Sequence, residues 1–533
     1  MTTSSGRNTP EKMNRQDVIA LIVLFLSAIL FRLIRLFDLD LNFDESVLLL
    51  LSNSSFGEIF EFCKTDNFPP LYPWMIKLWV SISEDVRWYR LFGALMGALT
   101  PPVAYLLGRE VVGRRLGWIL GAATAISVSL IFYSQFVRMF NAQPLLVCLS
   151  VYWFLKALRT NQPKYWLFTG LANLVGFYIY VFSIFLFCAE IVVLIIIYRV
   201  DLKKYARPFI ASIPFFIGVA IWLPITLSRY EQMAGTFWIS PLKWFDYIEV
   251  LFTVGTGTDF RNHHLLGGLV NLPFIIGSIL GISQSRFDKN IRSIFLILLL
   301  VLCSFTIVSL MGQSFMLGRY LIFILPLYLT LATVGWFSVK NVRWRNLGLV
   351  FLTFSMVISL SYYYIDYYHE HDYYGFVRPL PSSEDGEGHH LSVIADEVEQ
   401  HLIEGDVIIH YSNPYLRVCS FYAMLWYHKR SLPEYIYSRE EIAQHNGRQY
   451  LQPGEWIRSL YDLDPLPEGI WMISLDDTKT FFDEDVLMGK KRPHWISHEN
   501  LPLELREAGY DVVDTIVRGK VSAIYFRKSD DEN

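Results

Sequence analysis

Up to Ile365 the chain is a succession of apolar runs, each about 17 to 22 residues long, and nothing else in it constrains the fold as strongly. As helix, such a run crosses a hydrocarbon core of about 30 Å, and helices satisfy every backbone group within the segment. Beyond Ile365 no run is long enough. Composition agrees, with 53% hydrophobic and only 18% charged residues among 533 and a mean hydropathy of +0.33, which excludes an ordinary water-soluble globule. The expected fold class is therefore mainly α, a polytopic transmembrane helix bundle followed by a C-terminal α/β domain. The expected division is a tail at 1–16, a membrane domain at 17–365, a linker at 366–390 and a domain at 391–533. The first run, Asp17 to Phe37, is longer than a signal-peptide core and has no small-residue cleavage site after it, so it is expected to stay as an anchor.

Candidate spans fall near 17–37, 87–108, 116–132, 141–158, 165–180, 182–199, 208–228, 265–283, 292–311, 319–338 and 346–365, about eleven in all. One break more or less within 165–199 would flip everything downstream, but the basic clusters after it keep the alternation in phase. Every second junction carries a basic cluster: Arg7, Lys12 and Arg15; Arg109, Arg114 and Arg115; Lys156, Arg159 and Lys164; Arg199, Lys203, Lys204 and Arg207; Arg286, Lys289 and Arg292; Lys340, Arg343 and Arg345. Basic loops stay cytoplasmic, so the N-terminus reads as inside and the C-terminal domain as extracytoplasmic. Charge divides with the chain, residues 366–533 summing to −15 and residues 1–365 to +11, within a total of −4. The overall balance gives no reason to expect nucleic acid, and the acidic domain would repel anionic lipid head groups.

In the last domain Leu391, Ile394, Val398 and Leu402 keep helical spacing, Gly405 closes that helix, and Val407 to Tyr411 reads as a strand. Gly469 to Leu475 reads as another strand, before Asp476 and Asp477. Val512 to Val517 and Val521 to Arg527 flank Arg518-Gly519-Lys520 as a hairpin with a three-residue loop. Pro381 to His390 reads as a flexible connection and Met1 to Pro10 as disordered. Of five cysteines only Cys419 lies in this domain, which excludes an internal disulfide there, and the adjacent pairs His263-His264 and His389-His390 lack metal-ligand spacing.

Chemistry is sought where polar residues lack a structural excuse. Asn42-Phe43-Asp44-Glu45-Ser46 follows the first span on the external side, where a partly desolvated carboxylate can take a proton from an acceptor hydroxyl. Adjacent carboxylates diverge and cannot flank one substrate, so one serves as base and the other as a positioning or helix-start residue. The competing reading is that Asp44 and Glu45 simply cap the next helix. Phe68-Pro69-Pro70-Leu71-Tyr72-Pro73-Trp74 fixes a turn before an apolar helix. Tyr133-Ser134-Gln135-Phe136-Val137-Arg138-Met139-Phe140 places Arg138 at the external face with no acid near it in sequence, and Gly318-Arg319-Tyr320 begins a later span on the same side. Such arginines either snorkel or meet an anion, and a lipid-linked phosphate suits them.

Together the Phe43-Asp44-Glu45, Pro69-Pro70-Leu71-Tyr72, Tyr133-Ser134-Gln135 with Arg138-Met139, and Arg319-Tyr320 to Pro326 segments resemble the recurrent motifs of GT-C fold glycosyltransferases. More narrowly they are similar to the protein mannosyltransferase and lipid A aminoarabinose transferase superfamily in its prokaryotic form (family 39/83-like). The resemblance implies a bundle of GT-C type and a transferase that uses a polyprenyl-phosphate-linked sugar with inversion at the anomeric carbon. It implies Asp44 as catalytic base with Glu45 beside it. Pro70, Tyr72, Tyr133, Gln135, Arg138, Arg319 and Tyr320 become the substrate-binding set, with the two arginines near the donor phosphate or the catalytic loop.

The implied partners are that donor, membrane lipids, and an acceptor that is a lipid-linked glycan, a polysaccharide, a lipid or a protein. The resemblance gives no strong reason to require a metal or cofactor, although Asp44 and Glu45 could ligate a divalent cation. Mannose, glucose, arabinose and aminoarabinose are not separated. Relatives often carry a basic or histidine residue before the paired prolines, where this chain has Phe68. They often read Tyr-Ser-Gln-Glu-Ala-Arg-Met-Tyr, where this chain has Phe136, Val137 and Phe140. These departures point to altered donor selectivity or reduced activity. The alternative is a polytopic transporter or lipid flippase with an external ligand-binding domain, which a pairing of the intramembrane Glu190 with an arginine such as Arg32 would favour. A membrane sensor is a third class.

Overall fold

The computed structural model describes residues 13–36, 41–66, 68–83, 85–198, 202–233, 241–257, 264–312, 314–365, 391–412, 414–442, 448–475, 500–518 and 521–529. Met1 to Pro10, the connection at 381–390, Asp476-Asp477 and the side chains of both histidine pairs lie outside them. Two compact units emerge. The first comprises residues up to Leu36 and Phe60–Tyr364. The second comprises Phe37–Ile59 and the chain from Ile365, so it takes in the Asp44 segment that the sequence reading assigned to the membrane domain.

The first unit is helical. It contains α1 (Arg15–Leu33) and, after α2 (Phe43–Ser52) in the other unit, the end of α3 (Phe56–Cys63). There follow α4 (Leu71–Val80), α5 (Val86–Val111), α6 (Arg114–Ile126), α7 (Val128–Ser134), α8 (Gln143–Thr160), α9 (Pro163–Ile179) and α10 (Ser183–Tyr198). The rest are α11 (Leu202–Met233), α12 (Trp244–Thr256), α13 (His264–Gln284), α14 (Lys289–Leu310), α15 (Gly318–Leu321), α16 (Leu325–Ser338) and α17 (Val342–Ile365). All of the expected spans are helical. However, among the described residues 7 helices are long and apolar enough to cross a membrane alone, or up to 8 if α6 and α7, bent by 54°, count as one. The shortfall from about eleven lies in α8, α9 and α10, which include the shorter members at 17 residues for α9 and 16 for α10. The chain is a multi-pass membrane protein.

The break between α6 and α7, and the irregular backbone after Ser134, interrupt the regular pattern of bonds. Interrupted helices leave carbonyls without intrahelical donors, and lipid offers no water to replace them. Side chains fill the gap. Asn141 Nδ2 donates to Phe136 O at 3.0 Å, and Gln135 Nε2 donates to Arg32 O at 2.9 Å and Ile34 O at 2.8 Å.

The second unit holds α18 (Leu391–His401), β1 (Val407–His410), α19 (Pro414–Tyr427), β2 (Glu434–Tyr437), β3 (Trp456–Ile457), β4 (Gly469–Ser474), α20 (Leu501–Glu507), β5 (Tyr510–Arg518) and β6 (Val521–Lys528). Its six-stranded sheet runs β3-β2-β1-β4-β6-β5, parallel from β3 to β4 and antiparallel at β6 and β5. β1 and β4 are buried along their whole length, as central strands covered on both faces must be. The hairpin is tighter than its sequence implied. Arg518 pairs with Val521, which leaves two residues rather than three in the loop. Within this unit α2 packs Val47, with Phe43 and Leu50, on Val418, Phe421, Tyr422 and Leu425 of α19.

One buried polar cluster stands out there. Glu434 accepts from both imidazoles, at 3.1 Å from His410 Nε2 and 2.8 Å from His428 Nδ1. Burial opposes the charge on His428, but the Glu434 carboxylate outweighs it and lifts that imidazole above its usual value. Burial wins at His410 and lowers it. Burial alone would raise Glu434, yet the two imidazole bonds hold it below the usual carboxylate value.

Candidate active site

In the first unit the second, third and fourth sequence motifs meet on the non-helical backbone between α7 and α8. Pro70 stands at the N-cap of α4 with φ −76°, a conformation its ring already favours, and Trp74 N–H donates to its carbonyl at 3.0 Å. The helix so started buries Tyr72, whose hydroxyl accepts from Asn141 Nδ2 at 2.9 Å. Arg138 is extended, at φ −142° and ψ 154°, and caps a single 3-10 turn, Met139–Asn141.

Two of the residues that depart from the family pattern have clear partners. Phe68 presents its ring to the Arg138 guanidinium, 5.5 Å from centroid to cation. A cation over a ring face keeps its charge and its fork of donors, so Phe68 orients Arg138 where a basic residue would have repelled it. Phe140 is the hub between motifs, with ring centroids 5.6 Å from Tyr133, 5.7 Å from Tyr180 and 6.4 Å from Tyr320. Tyr320 in turn lies under Arg319, 5.1 Å from centroid to cation. The hydroxyl missing at position 140 is thus replaced by apolar packing that joins the third motif to the fourth. Phe136 packs on Phe132 at 4.8 Å and points its contacts into the support of α7.

Gln135 lies inside the bundle. It is fully buried, its amide nitrogen serves the carbonyls of Arg32 and Ile34, and its amide oxygen accepts from the Tyr363 hydroxyl. The amide expected to meet substrate is committed to holding the ends of α1 and α17.

Asp44 and Glu45 belong to the second unit. Asn42 caps α2, accepting from Glu45 N–H at 3.0 Å, while Glu45 Oε2 accepts from Asn42 Nδ2 at 2.9 Å. This reciprocal capping box buries Glu45 completely and identifies it as the helix-start residue of the pair. Asp44, one position earlier in the first turn, is half-buried. Among the described residues no group of three His, Cys, Asp or Glu side chains is placed to hold a metal ion.

Sequence reading passed over Glu249 and named Arg32 only as a candidate partner of Glu190. Glu249 is buried on α12, one turn before Thr253, whose side chain fills the space beside Gly318 next to Arg319. Its only signal was an acid beyond the first turn of a largely apolar helix within a long loop. Arg32 is fully buried at the end of α1. It does not pair with Glu190, which instead accepts from Ser150 Oγ and Asn173 Nδ2, both at 2.7 Å. The pairing that would have favoured transport does not form.

The family model described as dolichyl-phosphate-mannose-protein mannosyltransferase matches residues 67–226, which hold the second and third motifs. No curated protein matches the chain in sequence. Among solved structures, ArnT from Cupriavidus metallidurans in the apo state is similar at a TM-score of 0.59 and 13% identity, over 96% of this chain and 98% of that one. The same protein bound to undecaprenyl phosphate gives 0.56 and 12%, over 95% and 96%. The oligosaccharyltransferase AglB from Archaeoglobus fulgidus, in complex with an inhibitory peptide and a dolichol-phosphate, gives 0.50 and 12%, over 93% of this chain and 73% of that one.

Proposed function

From the GT-C fold, a helical membrane bundle with a C-terminal α/β domain, we propose that this chain is a membrane glycosyltransferase. It moves a sugar from a polyprenyl-phosphate donor to a hydroxyl acceptor at the external face of the membrane. The observation that carries the reading is the linkage of the motifs through the backbone after α7: Tyr133 and Tyr320 pack on Phe140, Tyr72 accepts from Asn141, Arg138 lies over Phe68 and Arg319 over Tyr320. The undecaprenyl phosphate and dolichol-phosphate in the complexes of ArnT and AglB support a lipid-linked donor. The alternating basic junctions support an external C-terminal domain.

In this mechanism Asp44 takes the proton of the acceptor hydroxyl as its oxygen attacks the anomeric carbon. The bond from that carbon to the phosphate oxygen breaks with inversion, and polyprenyl phosphate leaves with the electron pair. Arg138 and Arg319 neutralise charge gathering on the leaving phosphate, the position where a preoriented cation contributes most. Tyr72, Tyr133 and Tyr320 line the sugar and phosphate path. Glu45 caps the first turn of α2, which carries Asp44, and Gln135 supports the backbone of the third motif.

The test compares purified wild type, Asp44→Asn and Arg138→Ala for release of polyprenyl phosphate from a panel of radiolabelled polyprenyl-phosphate sugars, with membrane extract supplying acceptor. Wild type is expected to turn over one donor, and Asp44→Asn to lose at least about a hundredfold, the scale of a missing general base. Equal rates for Asp44→Asn and wild type would remove Asp44 from the mechanism.

A further inference from the structure

Arg32 is a fully buried cation inside a membrane helix, and among the described residues it makes no ion pair. An arginine in that setting is costly, so what its donors do instead carries information. Nη1 donates to Ala28 O, in its own helix, at 3.0 Å and to Ala125 O, in the last turn of α6, at 3.3 Å. Nε donates to Ser134 Oγ, the last residue of α7, at 3.1 Å. One guanidinium therefore spans the elbow between α6 and α7, bonded to a carbonyl that the break releases on one side and to the far end of α7 on the other.

The chain returns the bond. The residue after Ser134 is Gln135, whose amide closes on the carbonyls of Arg32 and Ile34. Gly97 of α5 leaves room for this closed ring of contacts, because a Cβ there would collide with Ser134 Oγ and lie 2.9 Å from Arg32 Nε. Tyr133 precedes the bonded serine directly, and Arg138 follows on the backbone that leaves it.

We propose that Arg32 is a positioning residue that fixes the elbow between α6 and α7 and, through it, the placement of Tyr133 and Arg138. This rests on the transferase reading only in its kinetic part. Removing the guanidinium leaves Ala125 O without its donor and Ser134 free to turn, so α7 changes its tilt and the motif moves with it. A misplaced Arg138 meets the donor phosphate poorly, while acceptor binding is untouched.

The experiment places 3-fluorotyrosine at Tyr133, which lies among Phe132 and Phe140 at 5.1 and 5.6 Å and is sensitive to their ring currents. The 19F resonance is compared in otherwise wild-type protein, Arg32→Met, Arg32→Lys and Ser134→Ala, and KM for donor and acceptor is measured on the same substitutions without the label. Arg32→Met is expected to shift or split the resonance and to raise the donor KM about tenfold, a displacement effect, with the acceptor KM unchanged. Arg32→Lys, which keeps charge and reach but not the planar fork, is expected to fall between. Mere loss of folded protein would lower kcat and move neither KM. Should Arg32→Met fold poorly, Ser134→Ala removes one end of the bridge and is expected to shift the resonance alone. An unchanged resonance in both would overturn the proposal. A wild type that releases no polyprenyl phosphate would defeat the transferase reading, yet the resonance comparison would still decide the role of Arg32.

Discussion

Gly93→Ala is the sharpest probe of the site, because its effect can be worked from distances. Gly93 lies on α5 against the irregular backbone that carries the third motif. An added Cβ would stand 2.7 Å from Ser134 O, 2.8 Å from Asn141 Nδ2 and 2.8 Å from Phe136 O, where ordinary contact begins at 3.4 Å. Two of those atoms are backbone, so the motif must retreat by about 0.6–0.7 Å, the difference between these distances. Adding that shift to the 2.9 Å bond from Asn141 to Tyr72 takes it to the edge of hydrogen bonding.

Overpacking of this kind costs about 1–3 kcal/mol, while alanine in a helix interior recovers up to about 1 kcal/mol. The net loss of stability is thus about 0–3 kcal/mol. The effect on turnover is larger, since displacing catalytic groups by about 1 Å can cost about a hundredfold, and the expected drop in kcat/KM for the donor is about ten- to a hundredfold. Gly268→Ala on α13 meets nothing within 4 Å and should be slightly stabilised with activity unchanged. Thermal melting in detergent and donor turnover, measured on both variants, check this. If Gly93→Ala behaves as Gly268→Ala does, the close packing of α5 on the motif is not what places it.

Three other substitutions separate support from chemistry. Gln135→Glu keeps shape but turns a donor into an acceptor facing two carbonyls, at about 1–3 kcal/mol for each buried group left unpaired; folded yield and melting should both fall. Arg138→Lys keeps the charge and loses the planar stack on Phe68; the donor KM should rise with melting unchanged. Glu434→Gln removes charge-assisted bonds worth about 2–3 kcal/mol to the second unit, with a pH signature. The raised His428 stabilises below its unfolded value near 6.5 and loses that as pH climbs through its folded value, whereas the lowered Glu434 stabilises above about 4.5 and loses that as pH falls through its folded value. The difference between wild type and variant in hydrogen exchange of β1 and β2 should therefore be greatest between pH 4.5 and 6.5 and shrink above it; a difference that grows toward alkaline pH would contradict the assignment.

The helices of the bundle were legible because a membrane-length apolar run has few alternatives, and the motifs were legible because arginine at a membrane face needs a reason. In the second unit, Gly405 in its left-handed conformation and the buried runs of β1 and β4 followed from local pattern. β2 and β3 did not. They are 4 and 2 residues long and take their place from neighbours in a parallel sheet, whose partners are distant in sequence. The membership of α2 was hidden for a related reason. Val47, Leu48, Leu49 and Leu51 read as part of a membrane protein, yet the apolar face of this helix is covered by α19, more than three hundred residues later. Gln135 shows the same limit of sequence, because an amide at a membrane surface suits a sugar and a carbonyl equally well, and only the structure shows it bonded to the carbonyls of Arg32 and Ile34.

That ambiguity has a physical resolution. Where a span is broken inside a bilayer, the released carbonyls must be met by side chains before any side chain can serve a substrate. Arg32, Gln135 and Asn141 are spent this way, each donating to backbone, and Ser134 is held between Arg32 and Leu130 O. Tyr133, Arg138, Arg319 and Tyr320 also pack against aromatic rings, contacts that fix the orientation of a side chain. The same eight-residue motif thus combines residues that repair the backbone with residues oriented by rings. The phenylalanines at 68 and 140 supply rings to the second group, Phe68 to Arg138 and Phe140 to Tyr133 and Tyr320.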